Sequence, residues 1–423
     1  MIDLPSLMLL RRDLRETQGF DLDANRERFL HWMVTAGTNE YRAIITIAAM
    51  NRARLFLFAA MALPLLAGCL DDTRAPDPSG VTDSPVRCID ASTLPRTSAA
   101  SVTASSDTAG ATFRATWSRP GVIDDAGNMC IATPGAELDA AIQAATDIWA
   151  VRIASSVPIR IELCWTDFRK NTELPEAMRA GATGIALGYR TYRNFEHAPQ
   201  RDVCYPKPLA NALAGYDLEP AFPDMQISYN AGLANPPTIS ETSALHWYFG
   251  ADGNPPADGY GRMDLVHVVA HEIAHGLGFR GSMDYDVDTG IGQWGADGYP
   301  LIYDTFIVDR SCVPGQRRLL DYPQRSTALG QQLIGDSLYF AGANAIAANQ
   351  RKCSSEGSDS SAPVKINAPV MWMPGSSYSH LDFATYNPTP DQLMVHEFFF
   401  EPMKNEPGPV IIGILRDLGW KMR

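Results

Sequence analysis

A histidine–glutamate–x–x–histidine run lies inside an apolar stretch. His271, Glu272, Ile273, Ala274 and His275 follow Leu265, Val266, His267, Val268, Val269 and Ala270. Such a stretch favours a buried helix. Residues four apart on a helix share one face, so the two imidazoles can grip one metal ion while Glu272 lies beside a water on that ion. Zinc lowers the pKa of such a water to about 7, and a carboxylate can take the proton as the water attacks a carbonyl. The spacing therefore predicts a zinc hydrolase, with His271 and His275 as ligands and Glu272 as general base. Two imidazoles do not complete a site, so a third ligand must come from elsewhere in the chain.

The 423 residues, 45% hydrophobic, are enough for one large domain or two modest ones with a core. Thirty-five Lys and Arg against 48 Asp and Glu give a net charge of −13, which argues against nucleic acid as a partner. Residues 1–49 precede a second methionine, Met50, and are expected to lie upstream of the true start. Residues 50–69 then read as a lipoprotein signal peptide: Arg52 and Arg54, an apolar run at 55–66, and a lipobox ending Ala67, Gly68, Cys69. That run is shorter than the roughly 20 residues that span a bilayer. Attachment to the membrane is expected through lipidated Cys69 alone. By resemblance to bacterial sorting rules, Leu70 in place of Asp after that cysteine favours the outer membrane or cell surface. Six further cysteines, Cys88, Cys130, Cys164, Cys204, Cys312 and Cys353, suit disulfides in an oxidising compartment. Sequential pairing (88 with 130, 164 with 204, 312 with 353) is the simplest expectation. Cys88 as a cap on zinc is the weaker reading beside a disulfide. No pair forms C-x-x-C, which argues against a cysteine zinc site.

Residues 70–110 are rich in Ser, Thr, Ala, Pro and Asp and read as a flexible tether. The alternating stretches 111–117, 157–163, 183–189 and 224–229 read as strands, and 138–153 has helical spacing. The order predicts an α+β fold: an N-terminal lobe at 111–280, with a twisted mixed sheet and the helix of His271, and an irregular C-terminal lobe at 281–423 with a closing helix at 410–420. A strand near Met225 to Tyr229 is the candidate cleft edge for an extended peptide. Asp284, Asp286 and Asp288 suggest calcium, but Thr289 and Gly295 stand where an EF-hand needs Gly and Glu, so a solvated acidic loop is expected. Residues 354–363 read as a polar loop.

The third ligand has several candidates among eight histidines. His31 lies in the doubtful leader. His197 and His246 have polar or aromatic neighbours and suit surface or structural roles. His267, one turn before His271, would put three ligands in a line and suits a supporting or core role. After His275 come Gly276, Leu277, Gly278 and Phe279. In the compact pattern H-E-x-x-H-x-x-G-x-x-H the glycine is present as Gly278, but the third histidine slot holds Gly281. The ligand must then come from farther away. His380, in Ser376, Ser377, Tyr378, Ser379, His380, leads. An acidic ligand, Asp284 or Asp286, and His396 remain alternatives.

Leu393 and Met394 follow His380, and the chain closes on Asp417, Leu418, Gly419 and Trp420. With H-E-x-x-H-x-x-G-F, a long insertion and a Ser-His segment, this order resembles the leishmanolysin family of metzincins over residues 260–284 and 374–420, closest to its secreted bacterial members. The resemblance implies a metzincin-like fold with two lobes around a cleft and His271, His275 and His380 as zinc ligands. It also implies Glu272 as general base, Gly278 as the helix exit and Met394 as the methionine turn beneath the metal, with Phe279 and Ser282 as packing positions. The activity it implies is a zinc-dependent metalloendopeptidase acting on protein or peptide substrates. A non-catalytic surface binding or adhesion module on the same scaffold is the competing reading. Glu272 argues against it, because a structural zinc does not need that residue. A hydrolase of non-peptide amides is a third reading. Tyr378 and Tyr386 are the nearest candidates in sequence to stabilise an oxyanion.

Overall fold

The computed structural model describes residues 86–95, 110–172, 174, 179, 182–187, 190–233, 246–252, 254–255, 262–313, 315–353, 361–396 and 403–423. The leader at 1–49, the signal peptide at 50–69 with Cys69, most of the tether and His31 lie outside them, as does 354–360 of the polar loop. In chain order the elements begin with β1 (Arg87–Asp90), β2 (Phe113–Trp117), α1 (Ala136–Ala150), β3 (Ile159–Thr166), β4 (Gly184–Leu187), β5 (Arg190–Arg193), β6 (Tyr205–Pro206) and α2 (Lys207–Ala214). Next come β7 (Met225–Asn230), β8 (His246–Tyr248), β9 (Arg262–Asp264) and α3 (Leu265–Gly276). The remainder is β10 (Asp284–Asp286), β11 (Ile291–Gln293), β12 (Ile307–Val308), α4 (Thr327–Leu333), β13 (Tyr339–Phe340), α5 (Ala343–Ala348), β14 (Val364–Lys365), α6 (Phe383–Tyr386) and α7 (Pro409–Leu418). The fold is α+β, with one four-stranded sheet and several smaller ones.

The main sheet has the order β2-β3-β7-β4. β2, β3 and β7 are parallel, and β4 runs antiparallel on β7. The strand expected at the cleft edge, Met225 to Tyr229, is therefore interior, and β4 is the edge. Its alternating sequence resembled a half-exposed strand, yet nearly all of β7 is buried between its neighbours.

α3 is largely apolar and buried except at His275, as a helix inside a core must be. It starts where the Asp264 carboxylate accepts the Val266 N–H at 2.9 Å, an N-cap that satisfies one orphan donor. It stops at Gly278, whose φ is +118°. The Phe279 N–H returns to Ala274 O and the Gly278 N–H to His275 O, both at 3.0 Å, the paired bonds of a Schellman turn. α1 packs beside it, with the Trp149 indole N–H donating to Ala270 O at 2.9 Å. The final helix α7 is capped by Asp391, whose carboxylate accepts the Val410 N–H at 2.8 Å. Beyond it, the Trp420 indole donates to Leu277 O at 2.8 Å and ties the chain end to the exit of α3. One apolar core runs on both sides of residue 280, from Ile159 and Ile227 to Leu393 and Ile414.

The disulfides are Cys88–Cys204, Cys130–Cys164 and Cys312–Cys353, so two of the three sequential pairs are corrected. Sequential pairing ignores topology. β1 lies parallel to β5, which carries Cys88 across the fold to Cys204, while the loop holding Cys130 runs along β3, with the Ile131 N–H on Trp165 O at 2.8 Å. The same β1 pairing corrects the tether: residues 87–90 are an ordered strand, because the disulfide and the sheet bonds hold them. The Cys88 sulfur is thereby committed away from any metal. Non-reducing digestion and mass spectrometry should recover a peptide joining Cys88 to Cys204 and another joining Cys130 to Cys164. A Cys88–Cys130 peptide would contradict the topology. Three disulfides suit an oxidising compartment outside the cytoplasm. Among the described residues no helix is long and apolar enough to cross a membrane.

Candidate metal centre

His271 and His275 stand one turn apart on the same face of α3 and meet His380 from the far end of the chain. The three Nε2 atoms lie 3.0, 3.1 and 3.2 Å from one another. Each Nδ1 faces a backbone carbonyl: His271 on Leu393 O at 2.6 Å, His275 on Phe279 O at 2.8 Å, His380 on Ser376 O at 2.8 Å. A carbonyl oxygen only accepts, so each Nδ1 carries the ring proton and each Nε2 presents a lone pair. Three converging lone pairs repel unless a cation sits among them. A tetrahedral site with metal–nitrogen bonds of about 2.0–2.1 Å separates its nitrogens by about 3.3 Å, close to what is found. The group can hold a metal ion.

The protonation states agree. Burial pushes the His271 imidazole down to about 4. Burial first, then the neighbouring imidazoles, holds His275 and His380 well below the ordinary value. All three rings are neutral near pH 7, as ligation requires.

Glu272 is buried, and its carboxyl lies against Gly184 of β4, where a Cβ would come within 3.0 Å of Oε1. Burial pushes this carboxyl up to about 8, opposed by the Ala186 backbone N–H and the Arg280 charge. Arg280 also donates to Ala186 O at 3.2 Å, so the edge strand, the carboxylate and the guanidinium are joined. A cation in the imidazole cage would act against the burial, lowering this pKa and favouring the ionised carboxylate that a general base requires.

Met394 lies in the 3₁₀ turn Gln392–Met394 and is fully buried. The turn is braced between His271 and His380: Leu393 O accepts from the His271 Nδ1–H, and the Leu381 N–H, next to His380, donates to Met394 O at 2.8 Å. Phe279, expected only to pack, also supplies the carbonyl that orients His275.

The other candidates stay out of the cage. His267 is buried beside Asn405 and the Lys404 backbone, and burial holds it down to about 3. His396 stacks edge-on to His380 with ring centroids 6.2 Å apart and does not join the three nitrogens. Asp284 and Asp286 are exposed on a β-hairpin, where Asp286 accepts the Asp288 and Thr289 N–H groups. Tyr378 is buried, and its hydroxyl donates to Asp304 at 3.0 Å, which removes it as an oxyanion donor. Tyr386 is buried on α6. Sequence reasoning missed Ala186, Gly184 and Asp304. No motif marks them, because each acts through tertiary contact.

The site is thus a cluster of three converging histidines that could hold a metal ion, on an α+β scaffold with the Glu272 carboxyl on the same helix. Residues 69–305 match the model of the SPBPB7E8-like family, and the chain belongs to that family. The matched region contains His271, Glu272 and His275 and ends before His380 and Met394. No curated protein and no solved structure matches the chain.

Proposed function

We propose that the protein is an exported zinc metalloendopeptidase, built like the leishmanolysin-type metzincins and tethered by lipidated Cys69 to the outer membrane or cell surface. The observation that carries the reading is the convergence of three neutral imidazoles with their lone pairs facing one another, beside a buried carboxylate on the same helix. When bound there, zinc supplies Lewis acidity toward a carbonyl and lowers the pKa of water to about 7. Glu272 takes the proton of the attacking water and later delivers it to the leaving amine. Ala186 and Arg280 keep its carboxyl oriented. The Leu393, Phe279 and Ser376 carbonyls fix the imidazole tautomers. The Gln392–Met394 turn serves as the methionine turn. β4 is an edge strand with Gly184 against Glu272, and a substrate polypeptide would add along it as a strand by displacing the bonds that Ala186 makes to Glu272 and Arg280. The family match begins at Cys69, where the lipidated chain would start, and the three disulfides suit export.

Purified protein should cleave casein, lose that activity to a zinc chelator and regain it with added zinc. Small acyl amides, offered in parallel, should be poor substrates. Chelator-resistant cleavage, or turnover of the amides with casein untouched, would contradict the reading.

A further inference from the structure

The compact three-imidazole pattern would place its last ligand at position 281, where this chain has glycine. A Cβ at 281 would come within 2.0 Å of Tyr378 Cε1 and 2.5 Å of Asp304 Oδ1. Side chains arriving from two distant segments fill the space.

Asp304 lies in the 3₁₀ turn Ile302–Phe306 and is fully buried. Its carboxylate gathers four donors. The Ser282 N–H reaches Oδ1 at 2.9 Å, and the Tyr378 hydroxyl reaches the same oxygen at 3.0 Å. The Leu301 N–H reaches Oδ2 at 2.8 Å, and the Ser282 hydroxyl donates to that oxygen as well. A buried carboxylate is tolerated only when its lone pairs are taken. Here the donors come from three places: the residue that opens its own turn, the exit of α3 and the loop of His380.

Tyr378 stands two residues before His380 with φ +74°, an uncommon conformation for a bulky side chain. Its N–H donates to Asn367 O at 2.7 Å, and the Asn367 N–H donates to His380 O at 2.8 Å. The Gly281 N–H donates to the Ser379 hydroxyl at 3.3 Å. These bonds run from Asp304 to the backbone that carries the third imidazole and to the segment leaving the helix of the other two.

We propose that Asp304, acting through Tyr378 and Ser282, is the positioning residue that holds His380 in register with His271 and His275. It replaces by tertiary contact what the compact pattern achieves by short spacing. The inference rests on the reading of those three histidines as metal ligands. Asp304 touches neither the imidazoles nor a substrate. Its effect is on the geometry of the cage.

The test compares full-length wild type, Asp304→Ala, Asp304→Asn, Tyr378→Phe and Asp417→Ala. Asp417 caps α5 through Asn344 and Ala345, so its loss provides a destabilised control away from the cage. Zinc affinity is measured against a chromophoric chelator, and geometry by the visible bands of the cobalt-loaded protein. Asp304→Ala should weaken zinc binding by about 10-fold, the low end of what losing a direct partner of a ligating imidazole costs, because it acts through Tyr378 and Ser282, and should shift the cobalt bands. Tyr378→Phe should do the same more weakly, Asp304→Asn should recover part of the loss, and Asp417→Ala should keep wild-type affinity and bands. Wild-type affinity and bands in both Asp304→Ala and Tyr378→Phe would overturn the proposal. If Asp304→Ala does not fold, wild-type behaviour of Tyr378→Phe overturns it alone. A wild-type protein that binds neither metal overturns the ligand reading itself, a different result from tight binding that ignores Asp304.

Discussion

Glu272→Gln should retain a full equivalent of zinc and lose peptide turnover by about 10²–10⁴-fold, the contribution of a positioned general base. The substitution preserves shape and the ability to accept the Ala186 N–H, while removing the basic oxygen. Glu272 is not among the three converging imidazoles, so metal content should not follow activity. Metal analysis and casein hydrolysis on one preparation read both quantities. Retained activity would remove Glu272 from the chemistry. Parallel loss of metal would mean that the carboxylate holds the cage together and is not its base.

His380→Ala should weaken zinc by more than the roughly 10–100-fold that outer-shell changes produce, because it deletes a ligand outright. What remains is a pair on one helix face, with the Ser376 carbonyl left without its donor. His396→Ala and His267→Ala should bind zinc as wild type does, since neither ring joins the three nitrogens. Competition titration of the three variants checks this. Loss of zinc in His396→Ala with retention in His380→Ala would require a different cage.

The centre was legible to unequal degrees. His271, Glu272 and His275 declare themselves because one helix turn brings them together, and helical spacing is a local property that a linear sequence displays. His380 was reached by exclusion and by resemblance, since 105 positions separate it from His275 and no periodicity links them. Asp304 was invisible: in Leu301, Ile302, Tyr303, Asp304 it reads as the polar member of an apolar run, and only the folded chain shows four donors around it. Strands and helices were placed within a few residues, as at 157–163 for Ile159–Thr166 and 138–153 for Ala136–Ala150, because burial patterns are local. Strand order was not local. Alternation alone makes β7 read as an edge, because it cannot reveal that β4, earlier in the chain, lies antiparallel on its open side. The cysteine pairing failed for the same reason, since the parallel pairing of β1 with β5 joins segments about a hundred residues apart.

X-ray absorption at the zinc edge of the metal-loaded wild-type protein addresses the shared cage most directly. The predicted first shell holds three imidazole nitrogens and one oxygen ligand at about 2.0–2.1 Å, with the outer-shell scattering of three rings. A shell with two imidazoles, a shell with sulfur, or a protein that retains no stoichiometric metal would contradict the account.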